Sequence, residues 1–493
     1  MHLLIIALFF GLYLHDGAPG LVSSGHGWAT LISVMVLPKL CLIGVYALAC
    51  RWAFRGLSRD GAGGRLRKLE MVGAAFRIGG IVLFYLDLHL GLLVLVRGGI
   101  GSLTGIAHPV LIDELLVILP TLLYWGAGWC VYYPIDRRLR EATLIRQLDQ
   151  GLPIEAVWSR SQYVLSQYRY QVALILLPLL AVIAWQETVE LMVLRGVVSG
   201  ESEPWWTIAG CAAIFLIAPL IIRVAWDTIP LPEGEIRAHL LGMCKAYRVR
   251  INELLLWRTY GGMINAAVMG FVGPLRFILV TDGLLQQLPG PHVEAVMAHE
   301  LAHVRKRHMA WLLVSAVSLM GVVEALGVVF LAMNGVGISE IEGAFSVTGP
   351  DTGIVPAGFG FPALTETDAL LLLTLACAAA AWALGFGWVS RRIERQADSF
   401  AVEHLARERG GDTIAWSDAL TMIDALQRVA DLNHVRAEKH SWRHGSIRWR
   451  QDYLRSLVGQ PVGKLGIDRL MRWVNALSLG ALLAAAALHA WLG

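Results

Sequence analysis

Apolar residues in this chain gather into long runs separated by short polar stretches. A run of about 20 such residues forms a helix that spans the ~30 Å hydrocarbon layer of a bilayer. Nine runs can be read, roughly at 1–14, 27–50, 72–97, 109–133, 170–195, 206–228, 309–333, 368–390 and 468–492. The first is short. With no basic leader and no small-residue cleavage site, it reads as an anchor rather than a removed signal. The pattern predicts a mainly α, polytopic membrane protein.

Composition agrees. Of 493 residues 56% are hydrophobic and only 16% are charged, and the mean hydropathy is +0.58. Soluble domains carry nearer a quarter charged residues. Charge between the runs sets an orientation. Arg51, Arg55, Arg59, Arg65, Arg67 and Lys68 crowd loop 51–70, and Arg137, Arg138, Arg140, Arg146, Arg160 and Arg169 crowd 134–169, whereas 15–26 and 334–367 hold no Lys or Arg. Basic residues stay on the cytoplasmic side. Nine spans in order fit every loop, with the N-terminus inside and the C-terminus outside. The net charge of +3 reflects this bias and gives no sign of nucleic-acid binding. The six cysteines form no C-x-x-C pair and five fall inside runs, so neither a cysteine metal site nor a disulfide framework is indicated.

The resulting organisation is a six-span bundle at 1–228, a polar block at 229–308, a two-span hairpin with an external loop at 309–390, a second polar block at 391–467, and a last span at 468–493. In the first block, two apolar runs flank Gly273-Pro274 and read as a strand pair, the second strand being Arg276–Thr281. Then comes LPGPHVEAVMAHELAHVRKRH, where Pro291 suits the start of a helix. His299 and His303 are four apart and share a helical face, able to grip one Zn²⁺. Glu300, one step round, reaches the metal's water as a general base. The bland alternative is a chance match in a chain with fifteen histidines.

Catalytic zinc takes three protein ligands. A third histidine ten residues after His299 is excluded, because that position is Met309. Glu324 is excluded too: on one continuous helix it would lie roughly 30 Å away. The second block opens with VSRRIERQADSFAVEHL, in which Glu394 and Asp398 share a face. Glu394 can ligate the metal while Asp398 accepts the N–H of a ligating histidine. A solvated helix with i,i+4 charges is the other reading.

HELAH, a two-span hairpin, then ERQAD resembles the integral-membrane zinc metallopeptidases of the HtpX and CaaX prenyl protease type. RFILVTDGLL resembles that family's strand and turn. HGSIRWRQDYL, with His444, Ser446, Ile447 and Arg450, is similar to its segment of histidine, proline, then arginine six later, although Gly445 stands where proline is usual. The resemblance covers about 255–457. It implies a gluzincin-like α+β domain split by the hairpin. It also implies one zinc on His299, His303 and Glu394, with Glu300 as base, Asp398 behind a ligand, His444 on the oxyanion and Arg450 on the substrate side.

The expected activity is therefore a zinc metalloendopeptidase at the cytoplasmic face of a membrane, its substrate peptide extended along 276–281. Its partners are the lipid bilayer and a peptide or membrane-protein substrate, with no nucleic acid. The dominance of arginine over lysine points to a bacterial cytoplasmic membrane and to quality control. Processing of lipidated peptides and a catalytically silent scaffold are the alternatives. Acids inside the runs give one more expectation. Asp113 and Glu114 are placed at the outer interface, and Asp87, Glu187 and Glu324 in a shared water-filled cavity.

Overall fold

In the computed structural model the described residues are 1–15, 28–56, 62–104, 110–149, 158–259, 263–336, 366–433 and 435–492. Most of the expected external loop 334–367 lies outside them, as do nearly all of loop 15–26 and Arg59. The chain divides into two compact units, Met1–Trp226 and Asp227–Gly493.

The first unit is helical: α1 (His2–His15), α2 (Trp28–Phe54), α3 (Ala62–His89), α4 (Leu92–Thr104), α5 (Ile112–Asp149), α6 (Arg160–Gln167), a π-helical stretch at Tyr168–Ala173 leading into α7 (Leu174–Leu194), and α8 (Glu203–Ala225). An aromatic stack of Tyr46, Phe76 and Tyr124 joins α2, α3 and α5, with ring centroids 4.5 and 4.2 Å apart. Among the described residues of the whole chain, six helices are long and apolar enough to cross a membrane. They are Ser33–Phe54, Gly64–His89, Ile112–Glu141, Arg160–Leu194, Gly200–Ala225 and His308–Met333. The runs expected at 1–14, 368–390 and 468–492 are also helical.

The buried acids depart from expectation. Asp87 is ion-paired with Lys39, and both are buried. Asp113 and Glu114 are covered by protein: they are 1% and 6% exposed and share Arg97, which donates from Nε to Asp113 Oδ2 at 2.6 Å. Glu187 joins them and accepts the Leu111 N–H at 2.9 Å. Glu324 is exposed. Within the first unit, then, Asp87 and Glu187 each meet local partners, as the cost of burying a lone carboxylate favours.

The second unit holds a four-stranded sheet in the order β1-β2-β4-β3, built from β1 (Thr228–Pro230), β2 (Glu253–Trp257), β3 (Ala266–Met269) and β4 (Phe277–Thr281). The expected strand pair is present as antiparallel β3 and β4, with Ala266 opposite Val280 and Met269 opposite Phe277. Gly270 makes the turn possible: its φ is +101°, and a Cβ there would sit 2.3 Å from the Leu275 carbonyl oxygen. Every residue of β4 is buried, so each large side chain contributes about 1.5–3 kcal/mol. Because β4 pairs with β2 on one side and β3 on the other, neither of its edges is open to a peptide. The expected docking strand 276–281 is thus corrected: the edge strands are β1 and β3, and β3 is the one packed beside Gly290–Arg305.

Helices α9 (Glu235–Ala246), α10 (Asp282–Gln287), α11 (Gly290–Arg305), α12 (His308–Met333), α13 (Glu366–Glu408), α14 (Trp416–Leu432), α15 (Ile447–Arg455) and α16 (Gly466–Leu492) complete the unit. Fully buried Ala295, Ala298 and Ala302 let α11 pack closely on β3, α13 and α14. One expectation fails here. Helix α11, which carries His299 and His303, and α12 are not one continuous helix. Arg307 takes a left-handed φ of 55° between α11 and α12, so the chain changes direction at His308.

Candidate metal centre

Helix α11 presents His299 and His303 one turn apart, and α13 brings Glu394 to the same point. One ligand atom from each lies within 4.8 Å of the other two. The two Nε2 atoms are 3.3 Å apart, and His299 Nε2 is 3.7 Å from Glu394 Oε2. His299 and Glu394 are 7% and 6% exposed, and His303 is partly buried.

The outward nitrogens decide what the inward ones offer. His299 Nδ1 lies 2.9 Å from Asp398 Oδ1, a contact at ion-pair distance without hydrogen-bond alignment, and the nearby carboxylate favours the proton on Nδ1, which leaves the lone pair on Nε2. His303 Nδ1 lies 3.1 Å from His308 Nδ1, and His308 Nε2 lies 3.0 Å from Gln396 Oε1. Gln396 donates from Nε2 to Asp468 Oδ1 at 2.6 Å, leaving its oxygen as the acceptor. Lys306 anchors the same Asp468 oxygen at 2.9 Å. His308 therefore donates from Nε2 and accepts at Nδ1, which makes His303 the donor at Nδ1 and bares its Nε2. Two bare imidazole lone pairs and a carboxylate facing one point suit a zinc ion, so the residues present fit the expected metal.

The sequence reading missed His308. Its only signal was a further histidine five residues after His303, with no regular helical spacing to place it.

Burial shapes the acids and bases. Burial pushes Glu300 up to about 7. Burial also pulls His303 well below the ordinary imidazole value. For His299 burial acts downward but Asp398 outweighs it, and the net shift is upward. For Glu394 burial acts upward, yet the His444 hydrogen bond and Arg450 carry it well below the usual carboxylate range. Asp398 follows the same logic, with Arg450 overcoming burial. The fixed positive charge of Arg450 keeps both acids ionised.

The other expected residues are also brought together. His444 Nδ1 is 3.1 Å from Glu394 Oε1, with about half of its side chain exposed. Gly445 beside it has φ +75°, which proline cannot adopt, so this turn departs from the family's proline-containing form. Arg450 stands elsewhere than expected. It is 7% exposed and donates from Nε and Nη2 to Asp398 at 2.8 and 2.6 Å, with Nη1 3.5 Å from Glu394. Its fork is committed to the acids behind the ligands and does not present itself to a substrate.

A buried imidazole-carboxylate triad with Glu300 beside it is a donor set that fits a metal ion, in a chain that also holds membrane-length helices. Residues 235–436 match the model of Peptidase family M48, and the resemblance read from the sequence is borne out at that level. Protease HtpX of Sodalis glossinidius (strain morsitans) is 27% identical over 209 residues, spanning 42% of this chain and 63% of that protein. The crystal structure of S. mikatae Ste24p superposes over 86% of this chain and 98% of its own, with a TM-score of 0.41 and 13% identity.

Proposed function

We propose that the chain is a membrane-embedded zinc metalloendopeptidase. The observation that carries this reading is the convergence of His299 Nε2, His303 Nε2 and Glu394 on one point, with Glu300 on the adjacent helical position. Zinc held there supplies Lewis-acid polarisation of the peptide carbonyl and lowers the pKa of water. Glu300 takes a proton from the attacking water and returns it to the amide nitrogen as the C–N bond breaks. His444 donates to the oxygen that gains charge. The peptide lies extended and adds to the edge strand β3, whose backbone packs beside α11.

The distribution of arginine supports nine spans, with both polar blocks on the cytoplasmic side and the catalytic domain split by the hairpin. Membrane-protein quality control or processing in a bacterial cytoplasmic membrane is the role we favour. Cleavage of lipidated peptides is the second reading, and a silent scaffold the third. An intact Glu300 speaks against the scaffold.

The test is cleavage of an unfolded membrane-protein substrate by the full-length protein in detergent. We expect a chelator to abolish cleavage, zinc to restore it, and Glu300→Gln to remain inactive with zinc bound. Equal cleavage by native and Glu300→Gln protein, or none by the native protein, sinks the proposal.

A further inference from the structure

Beside the zinc helix the second unit holds a cavity of about 460 Å³, walled by Arg248, Arg250, Arg276, Arg305 and Arg307 and reached by His303. No acidic residue lines it. Arg276 serves the fold, since its guanidinium donates to the carbonyls of Gly270, Arg250 and Phe271. The other four arginines are exposed, and among the described residues none forms an ion pair with an acid.

The backbone carries a second signal. Three non-glycine residues among those described have positive φ, and two of them, Arg248 at 53° and Arg307 at 55°, line this cavity. Both directly follow a helix C-cap, Tyr247 and Lys306, so the left-handed turn that ends each helix sets its arginine at the rim of the cavity. Arg307 also directly precedes α12, one of the membrane-length helices.

A basic bias at the end of a span would account for exposed arginines on a flat loop. It does not account for four guanidiniums without an acid partner among the described residues, gathered around one concave space that no acid lines. Like charges so placed repel unless an anion joins them, and the guanidinium fork matches phosphate oxygens in pairs. We propose that the cavity seats the phosphate of an anionic phospholipid headgroup, held by Arg248, Arg250, Arg305 and Arg307 where α12 enters the bilayer. A seated lipid stands next to His303 and borders the approach to the metal centre. This proposal rests on the membrane reading of α12 and is independent of peptidase activity.

The test uses the full-length protein, delipidated in detergent and titrated with phosphatidylglycerol or phosphatidylcholine, with retained lipid counted by native mass spectrometry. We expect one phosphatidylglycerol per chain under conditions where phosphatidylcholine is lost. Arg248→Gln/Arg307→Gln and, at unstrained positions, Arg250→Gln/Arg305→Gln should each weaken retention about tenfold or more, with melting temperatures confirming that they fold. Equal retention of the two lipids, or undiminished retention in both variants, overturns the proposal. So does displacement of the lipid by an equal concentration of inorganic phosphate. Displacement by a peptide with a free C-terminal carboxylate, but not by its amide, would instead give the site to substrate.

Discussion

Arg450 donates two hydrogen bonds to Asp398, at 2.8 and 2.6 Å, and the same Asp398 carboxylate meets His299 Nδ1 at 2.9 Å. A fixed guanidinium thus stands behind His299, a proposed metal ligand, through one intervening acid. Removing Arg450 leaves Asp398 and Glu394 buried without their cation, a loss of about 3–5 kcal/mol for a broken buried pair. Arg450→Met should lower the denaturation midpoint and the zinc content together, and Arg450→Lys should restore little, lacking the fork. Native zinc content and stability in both variants would place Arg450 outside this network.

Glu300→Gln should hold zinc and fold normally while losing about 10²–10⁴ in turnover, the usual contribution of a general base. Zinc by elemental analysis and single-turnover cleavage provide the check. Near-native turnover would remove Glu300 from its assigned role.

His308→Ala should lower zinc affinity about 10–100-fold, because it removes the acceptor that fixes the His303 tautomer. Gln396→Leu should act in the same direction, since His308 then loses its own acceptor. Competition with a calibrated chelator measures both, and unchanged affinity in His308→Ala would refute the relay.

His444→Ala should reduce turnover more than zinc affinity, since the ring contacts Glu394 through Nδ1 and is otherwise half exposed. If the variant loses zinc instead, His444 belongs among the groups that hold the ligand.

Asp418 provides a pH signature away from the metal. Burial would raise its pKa, but Arg409 donates to it from Nε and Nη2 at 3.1 and 3.0 Å, and the Ala415 N–H donates at 2.8 Å, so the net shift is downward. A depressed folded-state pKa means the stabilisation is complete above the unfolded value of about 3.9 and fades as pH falls through the folded one. Asp418→Asn should cost about 1 kcal/mol at pH 6, the worth of a helix cap, and progressively less below about pH 4. Urea midpoints at the two pH values test this, and a difference that stays constant with pH would exclude the ionised carboxylate as its source.

The sequence by itself determined what depends on spacing along one element. His299 and His303 share a face because a helix repeats every 3.6 residues, and Glu394 and Asp398 do so for the same reason. The apolar runs likewise announced membrane-length helices, and Gly273-Pro274 announced the β3–β4 turn. Tertiary structure decided everything that needed two elements at once. That β3 rather than β4 is the edge follows from β2 pairing with β4, a contact no local pattern encodes. The break at Arg307 carries no glycine or proline to signal it, yet it turns His308 back onto His303. Asp113 and Glu114 are buried beside Arg97, which reaches them from a neighbouring helix. Arg450 faces Asp398 for the same kind of reason. A long charged side chain goes where its partner is, and the position of that partner is a property of the packed fold alone.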